Sequence, residues 1–236
     1  MTLSNNSDPQ TAFIVGAGSG LSASLARLFA ERGFRVALAA RRVDKLQALA
    51  QETGALTVAC DATRPEQVAA AFAAVDAKAG SADVVVYNPS ARLRGPVIGL
   101  DPGDVADVLA VTAFGGFLVA QQAARRMLPN QRGAIFFTGA SASVKGYAQS
   151  APFAMGKFAL RGLAQSMARE LSPQGIHVAH FVIDGAIRNP GRAEPADQPD
   201  SMLDPDAIAR TYLQVLEQDR SAWSWEIEMR PWVERF

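Results

Sequence analysis

The sequence has a single cysteine, Cys60, among its 236 residues, so no internal disulfide can form. Such sparse cysteine usage is typical of a reducing compartment. Cys60 ends an apolar run, which predicts a buried thiol rather than a reactive one. The first ten residues are polar and lack the apolar stretch of a signal peptide, and we expect residues 1–10 to form a disordered tail.

A surplus of charge of one sign and long hydrophobic runs are also missing. Lys plus Arg and Asp plus Glu are balanced at 23 each, so no net field favours nucleic acid or an anionic membrane. No apolar run reaches the length of a membrane span. We find no metal-ligand pattern, and we expect a cytoplasmic protein that binds a small molecule rather than nucleic acid or a membrane.

Hydrophobic residues make up 49% of the chain, enough for one large core. Short apolar runs alternate with longer helical patterns, and the runs predict strands at 11–15, 34–40, 55–60, 82–88, 133–139, 176–183 and 224–232. Continuous apolar strands separated by helices predict a single α/β domain over residues 11–236, a doubly wound parallel sheet of about seven strands. Ligands of such sheets bind beyond the carboxyl ends of the strands.

A glycine-rich segment, GAGSG, lies between the first predicted strand and the first predicted helix. Glycine permits positive φ and lets backbone approach a ligand closely, and a helix N-terminus offers free N–H groups to a phosphate. A tight turn that merely needs glycine is the alternative. The flanking strand and helix favour a dinucleotide site. The residues expected to contact the cofactor here are Gly16, Gly18, Ser19, Gly20 and Leu21.

The end of the second predicted strand carries Arg41 and Arg42, where an NAD site usually places an acid. A guanidinium can bind a 2′-phosphate bidentately, so we predict NADP(H) as cofactor. The alternative is two solvent-facing arginines. Asp61 follows the third strand and either accepts from the adenine amino group or caps the next turn. Asn88 follows the fourth strand and either bonds ribose and backbone or forms an Asx-turn before Pro89.

The chain resembles the short-chain dehydrogenase/reductase family from about residue 11 to residue 187. GAGSGLS matches its glycine motif, YNPS keeps the family asparagine as Asn88, and VIDGAI keeps Gly185, with Asp184 in place of a proline. The resemblance implies a Rossmann-type fold and nicotinamide binding, with backbone near Ile187 meeting the nicotinamide amide. It also implies a homodimer or homotetramer built through the two long helices, which the apolar pattern predicts over about 102–127 and 150–172.

The family's catalytic Asn, Ser, Tyr and Lys fall on Thr112, Ala140, Phe153 and Lys157. Only Lys157 matches. The family role of the tyrosine is to pass a proton to or from the substrate oxygen, and a phenyl ring at Phe153 cannot do so. Lys157 can still bind the nicotinamide ribose through its donors. Ser141 stands one residue from the serine position and is the candidate to orient a carbonyl.

Three functions are compatible with this pattern. The first is an NADP(H)-dependent oxidoreductase acting on a small carbonyl or alcohol, with Tyr147 as a relocated acid and Arg92, Arg94 and Arg188 available to an anionic substrate. The second is a catalytically inactive NADP(H)-binding homologue that serves as a sensor or partner subunit. The third is a lyase or isomerase on the same scaffold. Residues 188–205 are rich in Pro, Asp and Gly, and we expect a mobile substrate lid there.

Overall fold

The computed structural model describes residues 9–234, so most of the predicted N-terminal tail lies outside the described residues. Nine strands lie within these residues: β1 (Thr11–Val15), β2 (Arg35–Ala40), β3 (Leu56–Ala59), β4 (Val84–Tyr87), β5 (Gly133–Thr138), β6 (Ile176–Ile183), β7 (Ala186–Ile187), β8 (Met202–Leu203) and β9 (Glu226–Met229).

Seven strands form one parallel sheet in the order β3-β2-β1-β4-β5-β6-β9. The predicted doubly wound α/β fold is therefore confirmed. β1, β4, β5 and β6 are buried along their whole length because helices cover both faces of the sheet. The strand order reverses between β1 and β4, which opens a crevice at the carboxyl ends of these strands.

In the described part of the chain, seven α-helices cover the two faces of this sheet. They are α1 (Leu21–Glu31), α2 (Gln47–Thr53), α3 (Pro65–Ala79), α4 (Pro102–Leu109), α5 (Gly115–Met127), α6 (Ala151–Leu171) and α7 (Pro205–Leu216). One apolar cluster packs α3, α5 and α6 on one face, and a second packs α1 and α7 on the other. The sheet thus holds the ends of its strands rigidly between two cores.

The long helix expected over 102–127 is interrupted by a π-helical turn, Ala110–Phe114. The hydroxyl of Tyr87 donates to the carbonyl of Val111 within this turn. A Cβ on Gly115 would lie 2.9 Å from the carbonyl oxygen of Ala62, so this helix approaches the sheet as closely as it does only with glycine there. π turns inside α-helices are frequent at functional sites.

By length and composition, one helical stretch of the described chain, Pro102–Asn130, could cross a membrane. Its apolar residues Leu118, Val119 and Ala120 pack into the core beneath α5, and the core helix of a soluble protein passes the same test. The stretch is therefore consistent with a soluble protein.

The segment 188–205 is fixed at both ends. β7 pairs with β8 in parallel, and Arg188 forms an ion pair of 3.2 Å with Asp204. Between them, Asn189 and Arg192 exchange backbone hydrogen bonds of 3.1 and 2.8 Å, which closes a tight turn. The long connection therefore has its own local structure, and its mobility as a lid stays a prediction.

Candidate active site

A cavity of about 850 Å³ lies at the carboxyl ends of β1, β2, β3 and β4. Seven residues predicted to bind a cofactor line it, namely Gly16, Gly18, Ser19, Arg41, Arg42, Asp61 and Asn88. Gly20 and Leu21 form the N-cap and the first residue of α1 next to the glycine turn. The structure therefore brings together side chains and backbone from four strand ends.

The glycine turn packs tightly on one side and is open on the other. Gly16 has a φ of +80°, and a Cβ there would lie 2.6 Å from Pro89. At Gly18, by contrast, an added Cβ would meet no atom within 4 Å. No side chain caps the N-terminus of α1, and its first turn contains no acidic residue. This space beside an uncapped helix N-terminus fits a phosphate.

Asn88 joins the ends of β1, β4 and α1. Its backbone N–H donates to the carbonyl of Val15 at 2.9 Å, and its Nδ2 donates to Oγ of Ser22 at 2.7 Å. Ser22 in turn donates to the carbonyl of Gly16 at 3.2 Å. The sequence did not lead us to predict Ser22 as a site residue. Its position was a clue, because Ser22 stands where the glycine motif of the family commonly has a third glycine.

A cluster of exposed cations lines the far end of the cavity and consists of Arg41, Arg42 and Lys45. None of the three has an ion pair within residues 9–234. Lys45 was not predicted, although it stands in the helical turn directly after the two arginines. Three unpaired cations around one space make it strongly attractive to an anion.

Asp61 caps the following turn, one of the two alternatives that the sequence left open. Its Oδ1 accepts from the backbone N–H of Thr63 at 3.0 Å and from the Thr63 hydroxyl at 2.8 Å. These bonds, and then the nearby Arg41, lower the pKa of Asp61. Cys60 beside it is buried, and burial raises the pKa of its thiol to about 11, as expected of an unreactive thiol.

A second cavity of about 370 Å³ lies between the β4–α4 loop, the start of α6 and the segment after β6. The predicted residues Ser141, Tyr147 and Gly185 line it together with Phe153. Thr112 lines neither cavity and has no exposed surface. Its Oγ1 accepts from the N–H of Ala91 at 3.4 Å, a contact that can position the loop but does not reach a substrate.

Phe153 and Lys157 lie one turn apart on α6. The guanidinium carbon of Arg92 lies 4.6 Å from the centroid of the Phe153 ring, within cation–π range. Lys157 is 2% exposed, and its Nζ donates to the carbonyl of Thr138 at 2.7 Å. Burial, and secondarily the charge of Arg92, lowers the pKa of Lys157 to about 7. Lys157 can therefore exchange a proton near neutral pH.

A buried polar chain supports the loop that carries Ala140 and Ser141. Oγ of Ser143 accepts from the N–H of Ala140 at 3.2 Å and contacts Nε2 of His180 at 3.3 Å. The other ring nitrogen of His180 lies 3.2 Å from Glu226, which also holds Arg161 at 2.6 Å. Burial lowers the pKa of His180 to about 4. No local sequence pattern predicts this network of polar side chains, because its members come from distant segments.

The family model of the short chain dehydrogenases matches residues 10–196. The chain belongs to the short-chain dehydrogenase family. This match includes every residue predicted to bind the cofactor, from Gly16 to Ile187. Ile187 itself is half-buried in β7 and packs against the core beside α1 and α7.

Curated relatives within the short-chain dehydrogenase family carry the names of oxidoreductases. (+)-Borneol dehydrogenase 1 of Salvia officinalis is 34% identical over 180 residues, which cover 74% of this chain and 68% of that protein. D-threitol dehydrogenase of Mycolicibacterium smegmatis is 30% identical over 176 residues, covering 72% and 68%. The chain thus spans about two thirds of the length of the curated relatives it matches, between 61 and 68% for four of these proteins.

Solved structures of short-chain dehydrogenases superpose over nearly the whole chain. A short-chain dehydrogenase from Rhodopseudomonas palustris is 36% identical with a TM-score of 0.80, covering 95% of this chain and 100% of that one. A metagenomic short-chain oxidoreductase solved in complex with NADP is 27% identical with a TM-score of 0.82, covering 96% and 99%.

Proposed function

We propose that the protein is an NADP(H)-dependent oxidoreductase that interconverts a small carbonyl compound and its alcohol, with a proton donor other than the family tyrosine. The observation that carries the cofactor assignment is the cluster of Arg41, Arg42 and Lys45, which faces the larger cavity without an ion pair in the described chain. The relatives' names, which are those of dehydrogenases and reductases, and the relative solved with NADP support the same reading.

The residues of the larger cavity fit a phosphorylated dinucleotide. The glycine turn and the uncapped start of α1 would hold the pyrophosphate, and the cation cluster would hold the 2′-phosphate. Asn88 and Lys157 would bond the nicotinamide ribose, as the family resemblance implies. The bound dinucleotide supplies or accepts the hydride, and the chain's own residues must orient the substrate and move the proton.

Two side chains near Phe153 can carry that proton. Tyr147 lines the smaller cavity and is 48% exposed, so its hydroxyl can reach a substrate and water. Lys157 lines neither cavity, but it lies one helical turn from Phe153 and has a pKa of about 7, close to the ideal for an acid–base group at neutral pH. Arg92 adds a fixed positive charge beside Lys157, which would stabilise negative charge that develops on the substrate oxygen.

We also propose a homodimer or homotetramer in which α5 and α6 meet a second copy of the chain. Four apolar side chains of the π turn, α5 and α6 stay substantially exposed, between 43 and 50% of each: Phe114, Phe117, Met155 and Phe158. Phe114 and Phe117 stack with their ring centroids 6.4 Å apart. A cluster of large exposed apolar groups on adjacent helices is typical of an association surface.

Turnover tests the proposed reaction. We expect slow NADPH oxidation with activated carbonyls such as α-dicarbonyls and quinones, because these need little proton assistance. If Tyr147 is the proton donor, Tyr147→Phe lowers kcat by about 10²-fold or more, and Lys157→Met acts mainly by weakening cofactor binding. If Lys157 is the donor, Lys157→Met lowers kcat by that amount, and Tyr147→Phe leaves kcat nearly unchanged. The loss of NADPH absorbance gives kcat for each variant, and a titration gives its dissociation constant for NADPH. The two measurements together separate the two cases.

The double variant Ala140→Ser with Phe153→Tyr serves as the matched comparison. Faster reduction of a generic ketone by this variant would show that only the ordinary acid is missing from the pocket. NADPH binding with no turnover in the wild type or in this variant would contradict the oxidoreductase and favour the non-catalytic binding protein.

A further inference from the structure

Three arginines converge on the smaller cavity, Arg92 and Arg94 from the β4–α4 loop and Arg192 from the turn after β7. None of them has an ion pair with a carboxylate of residues 9–234. Burial lowers the pKa of Arg92, and the charges of Arg192 and Arg94 lower it further, so the three guanidinium groups are near enough to affect one another. Like charges gathered at one site raise the free energy of the folded protein unless an anion joins them.

The acidic residues of the cavity do not neutralise this charge. Asp184 is buried and its Oδ2 accepts from Nζ of Lys145 at 2.8 Å, with Arg230 at 3.9 Å. Glu234 also lines the cavity, but it is exposed and is a single carboxylate opposite three guanidinium groups. Among residues 9–234, the lining of this cavity therefore keeps a positive surplus next to the position where chemistry is proposed.

The side chain of Arg92 packs against an aromatic ring of the smaller cavity. Its guanidinium lies over the ring of Phe153, at the residue where the family resemblance implies a tyrosine. The ring face supports the guanidinium of Arg92, and the ring has no hydroxyl that could accept a hydrogen bond from the Arg92 donors. Phe153 thereby has a positive role in the pocket beyond the loss of an acid.

We infer that the substrate carries an oxyanion group, a carboxylate or a phosphate, that Arg92, Arg94 and Arg192 bind beside the reacting carbonyl. The inference rests on the proposed oxidoreductase function and specifies its substrate class. Guanidinium groups bind such oxyanions through paired N–H donors, with geometry that a neutral ester or alcohol cannot match. Arg188 is excluded from this site because it is paired with Asp204 at 3.2 Å.

Equilibrium binding of matched probes tests the inference. Benzoylformate is compared with its methyl ester, and dihydroxyacetone phosphate with dihydroxyacetone, by calorimetry on the full chain with and without NADP⁺. We expect the anionic member of at least one pair to bind about tenfold or more tightly than its neutral partner, because hydrogen bonds from a guanidinium to an oxyanion are stronger than those to a neutral oxygen. The pair that discriminates identifies the carboxylate or the phosphate as the group.

Arg92→Gln and Arg192→Gln should each remove most of that preference, and Phe153→Leu should weaken it. Arg188→Gln is the matched control, an arginine in the same segment that is paired elsewhere, and it should leave the preference unchanged. Equal affinity for both members of each pair would overturn the inference. So would an Arg192→Gln variant that loses NADP⁺ affinity but keeps the anion preference, since that arginine would then serve the cofactor.

The binding assay requires no turnover, so it separates the two proposals. An anion preference that depends on Arg92 and Arg192, without any NADPH oxidation of the preferred probe class, supports the oxyanion site and counts against the oxidoreductase. If NADPH is oxidised only with neutral ketones and the protein shows no anion preference, the oxidoreductase is supported and the oxyanion site is contradicted.

Discussion

Lys157 shows how burial changes the chemistry of one side chain. Its ammonium has one protein acceptor, the carbonyl of Thr138, and desolvation lowers its pKa to about 7. Without a bound anion the group is therefore partly neutral at physiological pH. An oxyanion near Arg92 would offset the positive charge around Lys157 and favour its protonated form, so substrate binding and proton supply are linked.

His180 makes stability depend on pH. Its pKa of about 4 in the folded chain lies below its value of about 6.5 in the unfolded chain, because burial disfavours the charged ring. The stabilisation is complete above pH ~6.5 and is lost as the pH falls towards ~4, by about 3 kcal/mol in all. We expect urea unfolding to show this decline, and His180→Gln to flatten it while also lowering stability at neutral pH.

A His180→Gln variant with the same decline in unfolding free energy as the wild type would contradict this assignment. The second histidine of the described chain, His177, also has a pKa lowered by burial, so His177→Gln is the comparison that measures the remaining slope.

Site residues could be predicted individually where they directly follow a strand in the sequence. Arg41, Arg42 and Asn88 follow their strands directly, and the sheet topology places them in one cavity. Arg192 could not be assigned in the same way, because a tight turn after β7 sets its direction. Ser143 and His180 meet only through tertiary packing, which no local pattern records.

At the scale of elements, apolar periodicity predicted the regular structure well. The strand expected at 176–183 is β6 without a change of bounds, and the helix expected at 150–172 is α6 with one residue fewer at each end. The π turn at Ala110–Phe114 was missed, because it depends on the contact of Tyr87 with Val111 rather than on the helix's own sequence.

The exposed apolar side chains of α5 and α6 lead to a prediction on assembly. We expect Phe117→Asp or Phe158→Asp to convert an oligomer into a monomer, because a carboxylate would be desolvated in the interface. Sedimentation equilibrium measures the mass directly. Val97→Asp is the control, since Val97 is 74% exposed in the β4–α4 loop and lies outside these helices. A monomeric wild type, or equal effects of all three changes, would count against this interface.

For the whole molecule, alternating strands and helices together with right-handed crossovers were enough to predict a doubly wound parallel sheet of about seven strands, and the structure adds the strand order β3-β2-β1-β4-β5-β6-β9. That order also places the cofactor cavity at the reversal between β1 and β4. The smaller cavity was harder to foresee, because it is assembled from loops after β4, β5 and β6 whose paths depend on one another. The proposed cofactor site is thus formed mainly at the ends of strands, whereas the proposed substrate site is formed mainly by loops.

The central claim is that a phosphorylated dinucleotide binds against Arg41, Arg42 and Lys45. Calorimetric titration of the full chain with NADPH and with NADH tests it most directly, with Arg41→Ala as the variant and Arg64→Ala, an exposed arginine at the start of α3, as the control. We predict that NADPH binds about tenfold or more tightly than NADH, and that Arg41→Ala alone of the two variants removes most of this difference. Tighter binding of NADH, or no binding of either dinucleotide, would contradict the account.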